Sequence, residues 1–125
     1  MEARKKILLI DDTESFLYIL NDILMNDYET IIAKNGEDGL ETAKLVMPDL
    51  ILLDVVMPGL SGYDVLQTLK ADDKMKAIPV ILITGMDSQG DVAKGYKLGA
   101  VDYIKKPFKR ALVKDKIDSI MGQSR

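Results

Sequence analysis

The chain has 125 residues, close to the common size of one domain, and its 47% hydrophobic and 30% charged residues exclude a disordered or fibrous protein. It contains no cysteine and no histidine, which removes disulfides, thiolate metal sites, thiol nucleophiles and imidazole bases, so any chemistry must run on carboxylates, hydroxyls and lysines. A formal net charge of −3 gives no global pull toward nucleic acid.

The first predicted element is the apolar run ILLI (7–10), entered through Lys5 and Lys6 and closed by two adjacent carboxylates, Asp11 and Asp12. Four apolar residues are too few for a signal peptide core, and Asp54 and Pro58 cut the longest other apolar stretches well short of a membrane span. The expectation is a soluble, cytoplasmic domain that engages no membrane. FLYILNDILM (16–25) repeats Phe16, Ile19, Leu20, Ile23 and Leu24 at helical spacing and predicts the first helix. Strand-like runs then recur at ETIIA (29–33), LILL (50–53), VILI (80–83) and VDYI (101–104). Several are continuously apolar rather than alternating, as strands covered on both faces of a parallel sheet must be.

Between these runs lie helix signals. Ser61 with Asp64, and Ser88 with Asp91, have capping-box spacing. DSQGDVAKGYKLG (87–99) predicts a fourth helix, weakened by Gly90 and Gly95 inside it and ended near Gly99. Leu112, Val113, Lys116, Ile117 and Ile120 predict a last amphipathic helix, with Lys109 and Arg110 near its start.

The pattern is a strand–helix unit repeated five times, with no linker or internal sequence repeat, so one domain over 1–125 is expected. Crossover handedness makes it a doubly wound, three-layer α/β/α domain on a five-stranded parallel sheet. All strand C-termini then share one edge, where ligands bind. Asp11 and Asp12 end the first strand, Asp54 the third and Thr84 the fourth, while Lys106 follows the fifth.

Taken singly, each of these residues has a plainer reading. Asp11–Asp12 reads as a turn and helix cap, Asp54 as a turn initiator, Thr84–Gly85 as a strand-ending turn, Lys105–Lys106 as a solvated pair and Tyr103 as strand packing. Their joint arrival at one rim favours a single site instead. Converging carboxylates suit a hard divalent cation such as Mg²⁺. A carboxylate is also a nucleophile toward phosphorus, and phosphoryl transfer needs positioning and charge neutralisation more than it needs an acid–base residue. Asp54, with a lysine and a threonine nearby, completes that set.

At this point the residues resemble the receiver domains of two-component response regulators, single-domain chemotaxis receivers included. The resemblance runs from KILLIDD through LILLDVVMPGLSGYDVL (50–66) and VILITG (80–85) to GAVDYIKKPF (99–108). It implies a flavodoxin-like (βα)5 fold and a switch that takes a phosphoryl group on Asp54 from a sensor histidine kinase or phosphotransfer protein. It implies Mg²⁺ as cofactor, with Asp12 a direct ligand, Asp11 acting partly through water, and Asp54 and the Val56 backbone carbonyl completing the set. It makes Thr84 the hydroxyl that contacts the phosphoryl group, Tyr103 the switch aromatic and Lys106 the phosphate-pairing lysine, with a cis bond to Pro107. The expected product is not an enzyme in the ordinary sense but a phosphoacceptor that promotes its own phosphorylation and dephosphorylation. Its helix 4, strand 5 and helix 5 surface is expected to control a target protein or output domain, without binding nucleic acid directly.

Two departures stand out. The common acidic residue before the switch aromatic is Val101 here, and KRALVKDKIDSIM lacks the charge pattern of receivers that dimerise through helix 4, strand 5 and helix 5. Val56 and Met86, two positions beyond Asp54 and Thr84, are apolar and imply slow loss of phosphate. The alternative reading is a magnesium phosphatase of the haloacid dehalogenase type. It fits less well, because its two aspartates lie two apart on the first strand, whereas Asp11 and Asp12 are adjacent.

Overall fold

Ile7, Leu8, Leu9 and Ile10 are all buried, and consecutive strand residues point to opposite faces, so their strand must be covered on both sides. The computed structural model, which describes residues 4–85 and 89–122, shows how. In chain order it contains β1 (Lys6–Ile10), α1 (Glu14–Leu24), β2 (Glu29–Ala33), α2 (Gly36–Val46), β3 (Leu50–Asp54), α3 (Gly62–Ala71), β4 (Val80–Thr84), α4 (Gln89–Lys97), β5 (Asp102–Lys105) and α5 (Arg110–Met121). The strands form one parallel sheet in the order β2-β1-β3-β4-β5. This is the expected doubly wound architecture.

Strand residues divide by parity. Leu8, Ile10, Ile51, Leu53, Val80 and Leu82 pack with Tyr63, Val65, Leu66 and Leu69 of α3 and Ala43 of α2. Ile7, Leu9, Leu50, Leu52, Ile81 and Ile83 pack with Leu17, Leu20 and Leu24 of α1 and Val113 and Ile117 of α5. Two cores, one on each face, explain why the central runs are continuously apolar.

Element boundaries differ from the sequence expectation in informative places. In α1 the buried stripe is Leu17, Leu20, Ile23 and Leu24, while Ile19 is exposed and Phe16 sits half-buried at the upper end. Strand β5 begins one residue late, leaving Val101 exposed in the preceding turn. The capping box at Ser61 is present: its hydroxyl accepts from the Asp64 N–H, and Asp64 accepts from the Ser61 N–H. The second expected box, at Ser88, and the side chain of Met86 lie outside the described residues. Gly99 follows α4 with φ +112°, the positive value that suits glycine in a helix-ending turn.

Candidate functional site

Register decides what meets at the rim. Ile10 pairs with Leu53, so the next residues, Asp11 and Asp54, leave the sheet side by side. Asp54 pairs with Ile83, and Thr84 pairs with Lys105, which brings Thr84 and Lys106 to the same edge. The Lys106 N–H donates to the Thr84 carbonyl at 2.9 Å, and the Lys106–Pro107 bond is cis, as the resemblance implied.

Asp11 does two things at once. One carboxylate oxygen, Oδ1, accepts from the Thr13 N–H at 3.0 Å, which is the turn that leads into α1. The other, Oδ2, accepts from the Lys106 ammonium at 2.8 Å. That ammonium also lies 3.6 Å from Asp54 Oδ1. Asp11 and Asp54 are 1% and 4% exposed, and Asp12 stands on the open side. Each of the three offers a carboxylate oxygen within 4.8 Å of the others.

Such crowding has an electrostatic consequence. Burial pushes the Asp54 carboxyl up to about 7, the Asp11 charge adds to the rise, and Lys106 opposes it only in part. One lysine does not balance this many carboxylates. The missing positive charge, with an all-oxygen donor set, fits a hard divalent cation, and the residues present suit Mg²⁺.

The other expected site residues surround this centre. Val56 lies two residues beyond Asp54 and is 60% exposed. Thr84 is buried at the end of β4. Tyr103 pairs with Leu82 and packs against the core on the α3 face, the face that Thr84 shares by parity. Two contributors were not anticipated. The Lys106 ammonium sits 4.0 Å from the centroid of the Phe16 ring, a residue the periodicity assigned to ordinary packing. A Cβ on Gly62 would meet the Asp54 carbonyl oxygen at 2.2 Å, and the Gly62 N–H donates to the Val55 carbonyl at 2.8 Å. Glycine there is what lets the start of α3 close against the end of β3. The one available signal was glycine directly after a helix-capping serine.

Residues 7–118 match the response regulator receiver domain family, and the chain belongs to that family. It is a receiver of phosphorylation-dependent two-component signalling, and the phosphatase alternative finds no support. The protein PilH of Pseudomonas aeruginosa is 35% identical over 118 residues, covering 94% of this chain and 98% of that protein. The alkaline phosphatase synthesis transcriptional regulatory protein PhoP of Bacillus subtilis is 37% identical over 121 residues, 96% of this chain; the chain spans 50% of that relative's length. Among solved structures, the chemotaxis protein CheY4 of Vibrio cholerae superimposes with a TM-score of 0.89 at 25% identity, covering 94% of this chain and 99% of that one. The receiver domain of a Pseudomonas aeruginosa sensor histidine kinase, with magnesium coordinated in its active-site cleft, gives 0.88 at 28% identity, covering 96% and 99%.

Proposed function

We propose that Asp54 is the phosphoacceptor of this receiver and that Lys106 and Thr84 hold the transferred group. The observation that carries the reading is Asp54 itself, a buried strand-end carboxylate crowded by Asp11 with a lysine 3.6 Å away. An Asp54 carboxylate oxygen attacks the phosphorus of a phosphohistidine on a kinase or phosphotransfer protein. The new O–P bond forms as the P–N bond breaks; the departing electron pair stays on the imidazole nitrogen, which takes a proton from solvent. Asp11, Asp12, Asp54 and the Val56 backbone carbonyl would hold Mg²⁺, which supplies charge neutralisation at the phosphoryl oxygens. Lys106 exchanges its contact with Asp11 for one with the phosphoryl group, and the Thr84 hydroxyl turns toward the same group.

In this reading Tyr103 follows Thr84, and the surface of α4, β5 and α5 passes the change to a target protein or output domain. The domain spans the whole chain, works in the cytoplasm and promotes its own phosphorylation and dephosphorylation. Among the described residues no helix is long and apolar enough to cross a membrane. The exposed, apolar Val56 favours slow hydrolysis of the aspartyl phosphate, because it cannot orient an attacking water.

Intact-mass measurement with acetyl phosphate and Mg²⁺ tests the assignment. The wild type gains a single phosphoryl group, and chelation of the metal suppresses it. Asp54→Asn, which keeps the shape but removes the nucleophile, shows none. An undiminished adduct on Asp54→Asn overturns the assignment.

A further inference from the structure

A lysine that must serve two partners needs something to hold it that is neither of them. Lys106 has a flexible stem and an ammonium with three donors, drawn at present toward Asp11 at 2.8 Å rather than Asp54 at 3.6 Å. Its third neighbour is the face of the Phe16 ring, 4.0 Å from ammonium to centroid. Phe16 is backed in turn by Phe108, whose ring centroid is 5.9 Å away and tilted by 49°. Phe108 packs against the core formed by α1, α5 and the sheet. The Phe16 N–H donates to the Thr13 carbonyl at 3.1 Å, and the Thr13 N–H donates to Asp11. The wall is therefore built by two segments, the start of α1 and the loop into α5, and tied to the carboxylate that Lys106 now contacts.

We propose that Phe16 is a positioning residue for Lys106. Its ring face holds the ammonium at the rim while the lysine changes partner from Asp11 to a phosphoryl group on Asp54. The physical reason is the nature of the contact. A ring quadrupole attracts a cation without a fixed hydrogen-bond direction, so it persists through a change of partner that would break a directional bond. A partly buried lysine, with only 11% of its side chain exposed, feels that attraction more than a solvated one. This role rests on the reading of Asp54 as phosphoacceptor.

Two measurements on the full chain test it. In the metal-free protein, ring-current shielding moves the Lys106 ε-methylene proton resonances upfield. Phe16→Leu, which fills similar space without a π face, abolishes that shift, and Phe16→Tyr keeps it. With acetyl phosphate and Mg²⁺, Phe16→Leu is phosphorylated roughly threefold to tenfold more slowly, because the ring counts most while the ammonium is between partners and neither directional bond is fully made; one cation–π contact at a part-buried ammonium sets the upper limit. Phe16→Tyr restores most of the rate. Thermal melting of each variant separates these effects from loss of fold, and Phe16→Met replaces Phe16→Leu if the latter does not fold. Unshifted Lys106 resonances in the wild type, a wild-type rate in Phe16→Leu, or a rate in Phe16→Tyr as slow as in Phe16→Leu each overturn the role and leave Phe16 as packing. If the wild type itself takes no phosphoryl group, the Asp54 reading fails instead, and the resonance shift still reports whether the ring holds the lysine.

Discussion

The Asp54 carboxyl ordinarily releases its proton near 3.8, yet burial and the Asp11 charge raise this to about 7 in the folded chain. Between those values the native state keeps a proton that the unfolded state has lost. Stability from this group is therefore complete below the lower value, falls as pH rises through the window and levels off above about 7. Metal-free wild type should melt lower at about pH 8 than at about pH 5 from this cause. Asp54→Asn should flatten that part of the pH dependence and raise melting at the alkaline end by a few degrees. Added Mg²⁺ should remove the same slope from the wild type but not from the variant's residual profile. Thermal melts across the window check this, and identical pH profiles for wild type and Asp54→Asn would remove the linkage. Asp11 shows how much of the site was legible. Its reading as a turn former is visible in the bond it accepts from Thr13, and its expected place beside the rim lysine in the bond it accepts from Lys106.

Helix α4 illustrates a different gap between string and structure. The sequence places two glycines inside it, but Gly90 lies exposed in the first turn, at the second residue of the helix, where the full cost of an interior glycine does not apply. Gly95 is another matter. It is buried, and a Cβ there would approach Leu82 Cδ1 to 2.5 Å, so its absence lets α4 lie close on β4. Alanine at 95 would displace a core side chain rather than simply stiffen the helix. The helix is tied at its start by Tyr63, whose hydroxyl donates to the Asp91 carbonyl at 3.1 Å and whose ring lies 4.4 Å from the Lys94 ammonium. Tyr63→Phe keeps the ring contact and loses the hydrogen bond, which costs about 0.5–1.5 kcal/mol. Hydrogen exchange should quicken in the first turn of α4 in this variant and stay unchanged in α1. In the wild type, the phosphoryl mimic beryllofluoride should alter protection over 89–106 and much less over 16–25. A response confined to the loop after Asp54 would mean that α4 does not carry the signal.

The molecule as a whole carries its acidic cluster at one edge of the sheet and a structural anchor at the other. Asp118, buried in the last turns of α5, accepts from the Tyr28 hydroxyl at 2.5 Å and from Lys114 at 2.8 Å, while Lys114 also pairs with Asp27 at 2.9 Å. These partners hold the Lys114 ammonium's pKa above its ordinary value, chiefly through the Asp118 hydrogen bond. The network fastens α5 to the turn between α1 and β2. Tyr28→Phe should lower unfolding free energy by about 1–3 kcal/mol, because it removes a buried bond to a charged group. The rate of phosphorylation should not change, since Tyr28 precedes β2 at the edge of the sheet opposite the strand end that carries Asp54. Denaturant unfolding alongside the intact-mass assay checks both halves.

What was legible in advance followed from periodicity and order. Continuous apolar runs between amphipathic segments required strands covered on both faces, and the placement of Asp11, Asp12, Asp54, Thr84 and Lys106 after those strands required a common rim. Such facts depend on residue type and local spacing, which a string of letters records in full. Other features depend on distances between segments far apart in the chain. Phe16 beneath Lys106, Asp118 beneath Tyr28 and Gly95 against Leu82 each include a residue whose own sequence neighbourhood points only to packing, capping or weakness. A side chain's electrostatic partner is fixed by the closing of the two cores around the sheet, and until those cores close the ring, the ammonium and the carboxylates have no common place.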